Sequence, residues 1–159
     1  MKAPRPGEVV LPFDPGARHD ASVAFLGRIR TPWGPDDCPK SITRAREQGA
    51  EAWIELDPAY QPLLTGLALG RWIMLLYWMD RARRDIGVQR PGHVDGPRGA
   101  FAIRTPARPN PVSMACVQIT SLSDHRIGID AADCFDNTPV IDIKPWQPTI
   151  DAPPGRIVE

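Results

Sequence analysis

The 159-residue chain lacks any long hydrophobic run. Its longest apolar stretch, Trp72 to Met79, is eight residues, well short of the ~20 a membrane helix needs, so a spanning protein is excluded. Cysteine is scarce: Cys38, Cys116 and Cys134 form an odd set with no CxxC pair, which argues against a disulfide framework and a zinc knuckle and for free, buried thiols. The N-terminus, MKAPRPGEVVLPFDPG, has neither a continuous apolar core nor a small-residue cleavage site, so no secretory signal is read and the cytoplasm is the expected compartment. There is no P-loop, HExxH, GxSxG or Rossmann glycine pattern, so the usual signatures of nucleophilic and metal hydrolysis are missing. His19, His93 and His125 lie far apart in loop-like contexts, and no metal is expected. No internal repeat is found. Lysine is nearly absent, with 16 arginines among 19 cationic residues. That bias reflects either codon usage or a demand for arginine's bidentate grip on phosphates and carboxylates.

What the chain has instead is proline and a divided charge. Net charge is zero, which disfavours a large nucleic-acid-coating surface. Seven arginines (81, 83, 84, 90, 98, 104, 108) nevertheless face only Asp85 and Asp95 between residues 81 and 108, and seven acids face three bases from Thr120 to Glu159. The 19 prolines, more than twice the usual ~5%, interleave with strand-like runs, so the middle of the chain is not read as disordered. Length fits one domain. Residues 1–21 read as an N-terminal arm, 22–148 as the folded domain and 149–159 as a tail.

Strands are expected at Ser22–Ile29, closed by Thr31-Pro32, and at the alternating Glu51–Leu56. Trp72–Met79 reads as a central buried strand by length and aromatic content, with a short core helix as the alternative. Further strands are read at 100–104, 112–122, 126–131 and 139–143. One short helix follows Ser41 as N-cap and stops at Gly49. Turn signals at short intervals suggest antiparallel pairing, and the fold class is mainly β: a small antiparallel β-barrel with little helix and extended terminal arms.

Two segments concentrate the signal. In GAFAIRTPARPNPV (Gly99–Val112) a strand runs into an elbow of Pro106, Pro109 and Pro111 that carries Arg104, Arg108 and Asn110; fixed φ angles make such an elbow rigid. In FDNTPVIDIKPW (Phe135–Trp146) Asp136, Asp142, the Asn137-Thr138 turn and Lys144 lie within nine residues. Lys144 either snorkels or pairs with Asp142.

These two motifs, in this order and spacing, resemble those of the TsaA-like (TrmO) family of S-adenosylmethionine-dependent tRNA methyltransferases. Weaker agreement upstream, in GRIRTPW, the CPKS loop and LALGRWIMLLYWM, extends the resemblance to about residues 22–148. It implies a small β-barrel acting as a homodimer. Its cofactor would be S-adenosylmethionine, and its acceptor the nitrogen-6 of a threonylcarbamoyl-adenosine beside the anticodon of tRNA. Carried over by position, the cofactor contacts become Pro39, Lys40, Ser41, Trp78, Met79, Arg104, Val112, Met114, Asp136, Asn137, Thr138 and Pro139, with Trp78 or Phe101 available to pack on adenine. Asp136 and Asp142 become candidate bases, and Arg108, Asn110 and Lys144 candidate substrate contacts, with the arginine-rich 81–108 stretch as the RNA-facing patch.

The family's "NPIG" is here Asn110-Pro111-Val112-Ser113, and its "DGTP" is Asp136-Asn137-Thr138-Pro139. Asn tolerates left-handed φ, so the turn is expected to survive. Trp78-Met79 and Lys40 replace polar and arginine positions, which makes the pocket more apolar. Larger members carry a C-terminal domain after the second motif, whereas this chain stops at Glu159, which keeps two alternatives open. One is methylation of another small or modified substrate, and the other is a non-catalytic S-adenosylmethionine-binding module.

Overall fold

A computed structural model describes residues 3–92 and 94–155. In chain order its strands are β1 (Val9–Val10), β2 (Gly27–Arg30), β3 (Ala52–Leu56), β4 (Trp72–Trp78), β5 (Ile86–Gln89), β6 (Arg98–Gly99), β7 (Val112–Ser123), β8 (Arg126–Ile129) and β9 (Thr138–Pro145). Its α-helices are α1 (Ile42–Gln48) and α2 (Pro148–Asp151). The chain divides into two compact units, one made of Met1–Val23 with Met79–Ser113, the other of Ala24–Trp78 with Met114–Glu159. The mainly-β expectation holds.

In the larger unit six strands close a ring in the order β2-β3-β8-β7-β4-β9. The pairs β2–β3, β2–β9, β3–β8, β4–β9 and β7–β8 run antiparallel. Closure leaves no strand edge to aggregate. Period-two alternation turns one residue in two inward, and the register stacks Ile29 on Ile54 and Ile54 on Ile127 across three strands. These isoleucines, with Ile73, Leu75, Val117, Ile119 and Val140, form the buried core. Burying each contributes on the order of 1.5–3 kcal/mol, and β-branched side chains suit the pleated surface. Where β2 meets β3, a Cβ on Gly27 would come within 2.2 Å of the Glu55 carbonyl oxygen, so only glycine permits that approach.

α1 is capped as read from sequence. Ser41 Oγ accepts from the Arg44 amide at 3.3 Å, and Gly49 takes φ 62°. Arg46 ties the helix to the ring through Asp130 Oδ2 at 2.6 Å and lies 5.5 Å over the Trp72 ring.

The smaller unit carries the three-stranded sheet β1-β5-β6. It corrects two expectations. Residues 9–10, read as part of an N-terminal arm and not as a strand, pair with β5, and Pro15 is buried in a 3-10 turn capped by Asp14. Residues 100–104, read as a strand, instead form a 3-10 turn at Ala100–Ala102 after the two-residue β6, with Phe101 93% exposed. The Ala100 and Ile103 carbonyls bond to the Arg108 side chain and not to a neighbouring strand. The first strand also begins later than expected, at Gly27.

Candidate ligand-binding site

In the larger unit the Asp136–Pro139 turn is pinned against the end of β2. Asn137 sits at φ 70°, the left-handed region asparagine tolerates. Its amide donates to Ile29 O at 2.9 Å, and the Asp136 amide to Trp33 O at 2.8 Å. Asp136 Oδ1 accepts from the Thr31 amide at 3.2 Å. Arg30 reaches Asn137 Oδ1 at 3.2 Å and Asp136 Oδ2 at 3.8 Å, while its Nε donates to Glu55 Oε2 at 2.8 Å. That hydrogen bond, with Arg126 adding attraction, holds the Glu55 carboxyl below the usual range. Arg28 donates to the Asn137 carbonyl at 3.4 Å. Of the four turn residues assigned by resemblance, Asp136 and Asn137 are exposed whereas Thr138 and Pro139 are buried. The last two shape the turn from below, Thr138 by donating to Phe135 O at 2.7 Å. Arg28 and Arg30 escaped the sequence reading. Their signal was the alternation in GRIR, which sets both on one face of β2.

A buried polar layer supports this turn. Tyr77 donates to Asp133 Oδ1 at 2.9 Å, Trp33 Nε1 to Ala132 O at 3.0 Å, and Thr31 Oγ1 to Cys134 O at 3.1 Å. Burial, then the Asp133 charge, pushes the Tyr77 phenol upward. Burial does the same to the Cys134 thiol, and burial followed by Asp133 and Asp37 raises Cys38 to about 11. A thiol raised above its ordinary value of 9.0 in the fold contributes stability that is present below that value and lost as pH climbs toward about 11. Urea midpoints should therefore fall over that interval, and Cys38→Ala should make the fall shallower; identical slopes would contradict this. In the neighbouring loop Pro39 is buried, Lys40 is exposed and Ser41 spends its hydroxyl on the α1 cap. Trp78 ends β4 half-buried, and Met114 is exposed on β7.

Asp142 and Lys144 pair at 2.6 Å, the second of the two alternatives read for this lysine, and Asp142 Oδ1 also accepts from the Ile143 amide at 2.9 Å. Asp142 lies on the wall of a mostly apolar groove of about 270 Å³, lined by Leu26, Leu56, Tyr60, Leu64, Thr65 and Ile143. It stands four residues beyond Thr138 on β9, roughly 13 Å of strand. The two candidate bases are therefore apart.

In the smaller unit, the 104–112 elbow leaves Arg104, Asn110 and Val112 exposed and Met79 half-buried. The Met79 amide donates to Pro111 O at 2.9 Å. Arg108, expected to touch substrate, donates to the carbonyls of Thr105 at 3.0 Å, Ala100 at 2.9 Å and Ile103 at 2.8 Å. Arg83 pairs with Asp85 at 2.6 Å, a hydrogen bond that lowers the Asp85 carboxyl. The arginine run thus spends part of its charge within its own unit instead of presenting all of it as one cationic patch. Among the described residues no three His, Cys, Asp or Glu side chains cluster as metal ligands; His93 lies outside those residues. No helix among them is long and apolar enough to cross a membrane.

Comparison with known proteins places these features in a family. Residues 28–152 match the model described as the tRNA-methyltransferase O N-terminal domain. The chain is 35% identical over 127 residues to a probable S-adenosyl-L-methionine-binding protein, VirR, of Rhizobium radiobacter, spanning 79% of this chain and 71% of that protein. It is 35% identical over 128 residues to an S-adenosyl-L-methionine-binding protein of Archaeoglobus fulgidus, spanning 79% and 89% respectively. The crystal structure of TrmO from Pseudomonas aeruginosa superposes with TM-score 0.66 at 27% identity over 86% of this chain, which spans 60% of that one. A second TrmO crystal structure gives TM-score 0.68 at 28% identity, with 62% of its length spanned.

Proposed function

The chain belongs to the tRNA-methyltransferase O N-terminal-domain family, and from that premise we propose that it binds S-adenosylmethionine and methylates nitrogen-6 of a threonylcarbamoyl-adenosine beside the anticodon of tRNA. The observation that carries this reading is the family match over residues 28–152, which takes in both motifs. Each unit by itself offers groups of the kind such a cofactor binds. Arg104 is exposed with no hydrogen bond or ion pair among the described residues, a free fork for a carboxylate. The Asp136-Asn137 turn offers an exposed, rigid polar edge. Lys40, Trp78, Met79, Val112 and Met114 are the remaining contacts we assign, with Pro39, Ser41, Thr138 and Pro139 shaping them.

The bound cofactor supplies an electrophilic methyl on a sulfonium. Its transfer is an in-line displacement in which the protein's main contribution is positioning. The acceptor nitrogen must lose a proton, and we assign that proton to Asp136, whose carboxylate is exposed and held by the Thr31 amide and Arg30. Asn110 and exposed Lys144 remain our candidates for RNA contact. We further propose a cytoplasmic homodimer, to be checked by sedimentation equilibrium.

Methyl-labelled cofactor should be incubated with tRNA bearing the threonylcarbamoyl group, with tRNA lacking it, and with a small-molecule extract. Label is expected only in the modified tRNA. Label in the small-molecule fraction would instead establish another methylation. Arg104→Ala should weaken cofactor binding about tenfold or more in calorimetry, as loss of a charge-assisted hydrogen bond does; unchanged affinity would remove Arg104 from the site.

A second reading, a non-catalytic S-adenosylmethionine-binding module, is favoured by one observation. The Archaeoglobus fulgidus relative, 35% identical over 128 residues, carries the name S-adenosyl-L-methionine-binding protein. Tight cofactor binding with no labelled product in any fraction would establish it.

A further inference from the structure

The 97–111 segment contains Pro97, Pro106, Pro109 and Pro111, none of which has an N–H to donate. Such a stretch accumulates carbonyls without main-chain partners, and a buried carbonyl left unpaired is costly. Three side chains supply the donors. Arg108 covers the carbonyls of Ala100, Ile103 and Thr105. Gln89, 8% exposed, donates to Ala107 O at 3.0 Å and accepts from the Thr105 hydroxyl at 2.9 Å. That hydroxyl in turn accepts from the Ala107 amide at 3.3 Å. Arg84 donates to Pro109 O at 2.6 Å, to Asn110 Oδ1 at 3.2 Å and to Pro15 O at 3.3 Å.

Two exposed side chains are aimed by this lock. Arg104 stands between Ile103 and Thr105, whose carbonyls Arg108 grips together, so the backbone that carries the Arg104 side chain is held on both sides. Asn110 turns its oxygen to Arg84, which sets the amide orientation and leaves the nitrogen as the group on offer. Only a planar guanidinium reaches three separate carbonyls in one geometry; a lysine ammonium at the same position keeps the charge and loses the span.

We propose that Arg108, backed by Gln89 and Arg84, is a positioning residue: it does not touch the ligand but locks the proline elbow so that Arg104 meets it in a fixed position, with the Asn110 amide nitrogen held on the same elbow for RNA. The proposal rests on the reading above that this elbow receives S-adenosylmethionine. It also assigns a purpose to part of the arginine run, whose members here serve as donors for a donor-poor loop.

The test combines a mutant cycle with an exchange measurement. Arg104→Ala, Arg108→Lys and the double variant are titrated with S-adenosylmethionine, and their melting temperatures are recorded. Each single change should weaken binding about tenfold, and the double change no more than either alone, because one acts through the other. Arg108→Lys should melt lower than the wild type but still in one cooperative transition well above the titration temperature, which separates positioning from loss of fold. A roughly hundredfold loss in the double variant would mean that Arg108 contacts the ligand itself and would overturn the proposal, as would unchanged affinity in Arg108→Lys. Without ligand, hydrogen exchange across residues 100–110 should quicken in Arg108→Lys; unaltered exchange also overturns it. Should Arg108→Lys not fold, Thr105→Val breaks the Gln89 link and is held to the same two criteria. If exchange quickens while the wild-type chain binds no S-adenosylmethionine, the lock stands and the cofactor reading falls.

Discussion

Asp136→Asn should lower the methyl-transfer rate by about 10²-fold or more, with S-adenosylmethionine affinity changed only a few-fold. The amide oxygen of asparagine still accepts from the Thr31 amide as Asp136 Oδ1 does at 3.2 Å, so the turn and the left-handed Asn137 keep their support. What disappears is the basic oxygen that we propose takes the proton of the acceptor nitrogen. Asp142→Asn is the matched control. Asp142 is committed to Lys144 and the Ile143 amide on the wall of a separate apolar groove, roughly 13 Å of strand from the turn, and its replacement should change the rate less than threefold. Single-turnover rates of the two variants on modified tRNA decide the matter. Equal losses, or a larger loss in Asp142→Asn, would remove Asp136 from the role of base.

Gly27→Ala is expected to be the most damaging small substitution in the larger unit, destabilising it by about 3 kcal/mol or more. Its Cβ would lie 2.2 Å from Glu55 O and 2.7 Å from Leu56 Cα, both main-chain atoms of β3 that cannot swing aside. Gly27 also pairs with Leu56 on one side and Val140 on the other, so the strand cannot retreat from β3 without disturbing β9 and the closure of the ring. Gly49→Ala supplies the contrast. Gly49 has φ 62° but open space around its Cβ position, and the change should cost about 1 kcal/mol through backbone strain alone. Urea melts of the two variants should differ clearly in midpoint, and a Gly27→Ala protein as stable as Gly49→Ala would contradict the close approach.

Local chemistry made several elements legible. Ser41 and Gly49 bracket a helix because capping and left-handed φ are properties of single residues. The alternation in AWIEL and VSMACVQITSL appears as strands β3 and β7 because a period of two survives wherever one face is buried. Asn137 keeps its turn for the same local reason. AFAIR misled because its alternation is that of a strand while its setting is not. With prolines on either side and no partner ladder, its carbonyls turn to Arg108 and Phe101 is left in solvent. Val9–Val10 misled in the opposite sense: two residues carry no periodicity, and only pairing with β5 makes them a strand.

For this protein the sequence by itself determined the mainly-β class, the inward face of the ring strands and the two motifs that place it in a methyltransferase family, since these depend on side-chain period and short-range turn chemistry. Tertiary structure alone decided what the charges do. Arg30 meets Asn137 across 107 positions and Arg84 meets Pro15 across 69, and Arg108 turns back on the loop that carries it. A guanidinium takes whatever acceptor the fold brings within reach, and no periodicity along the chain encodes that choice.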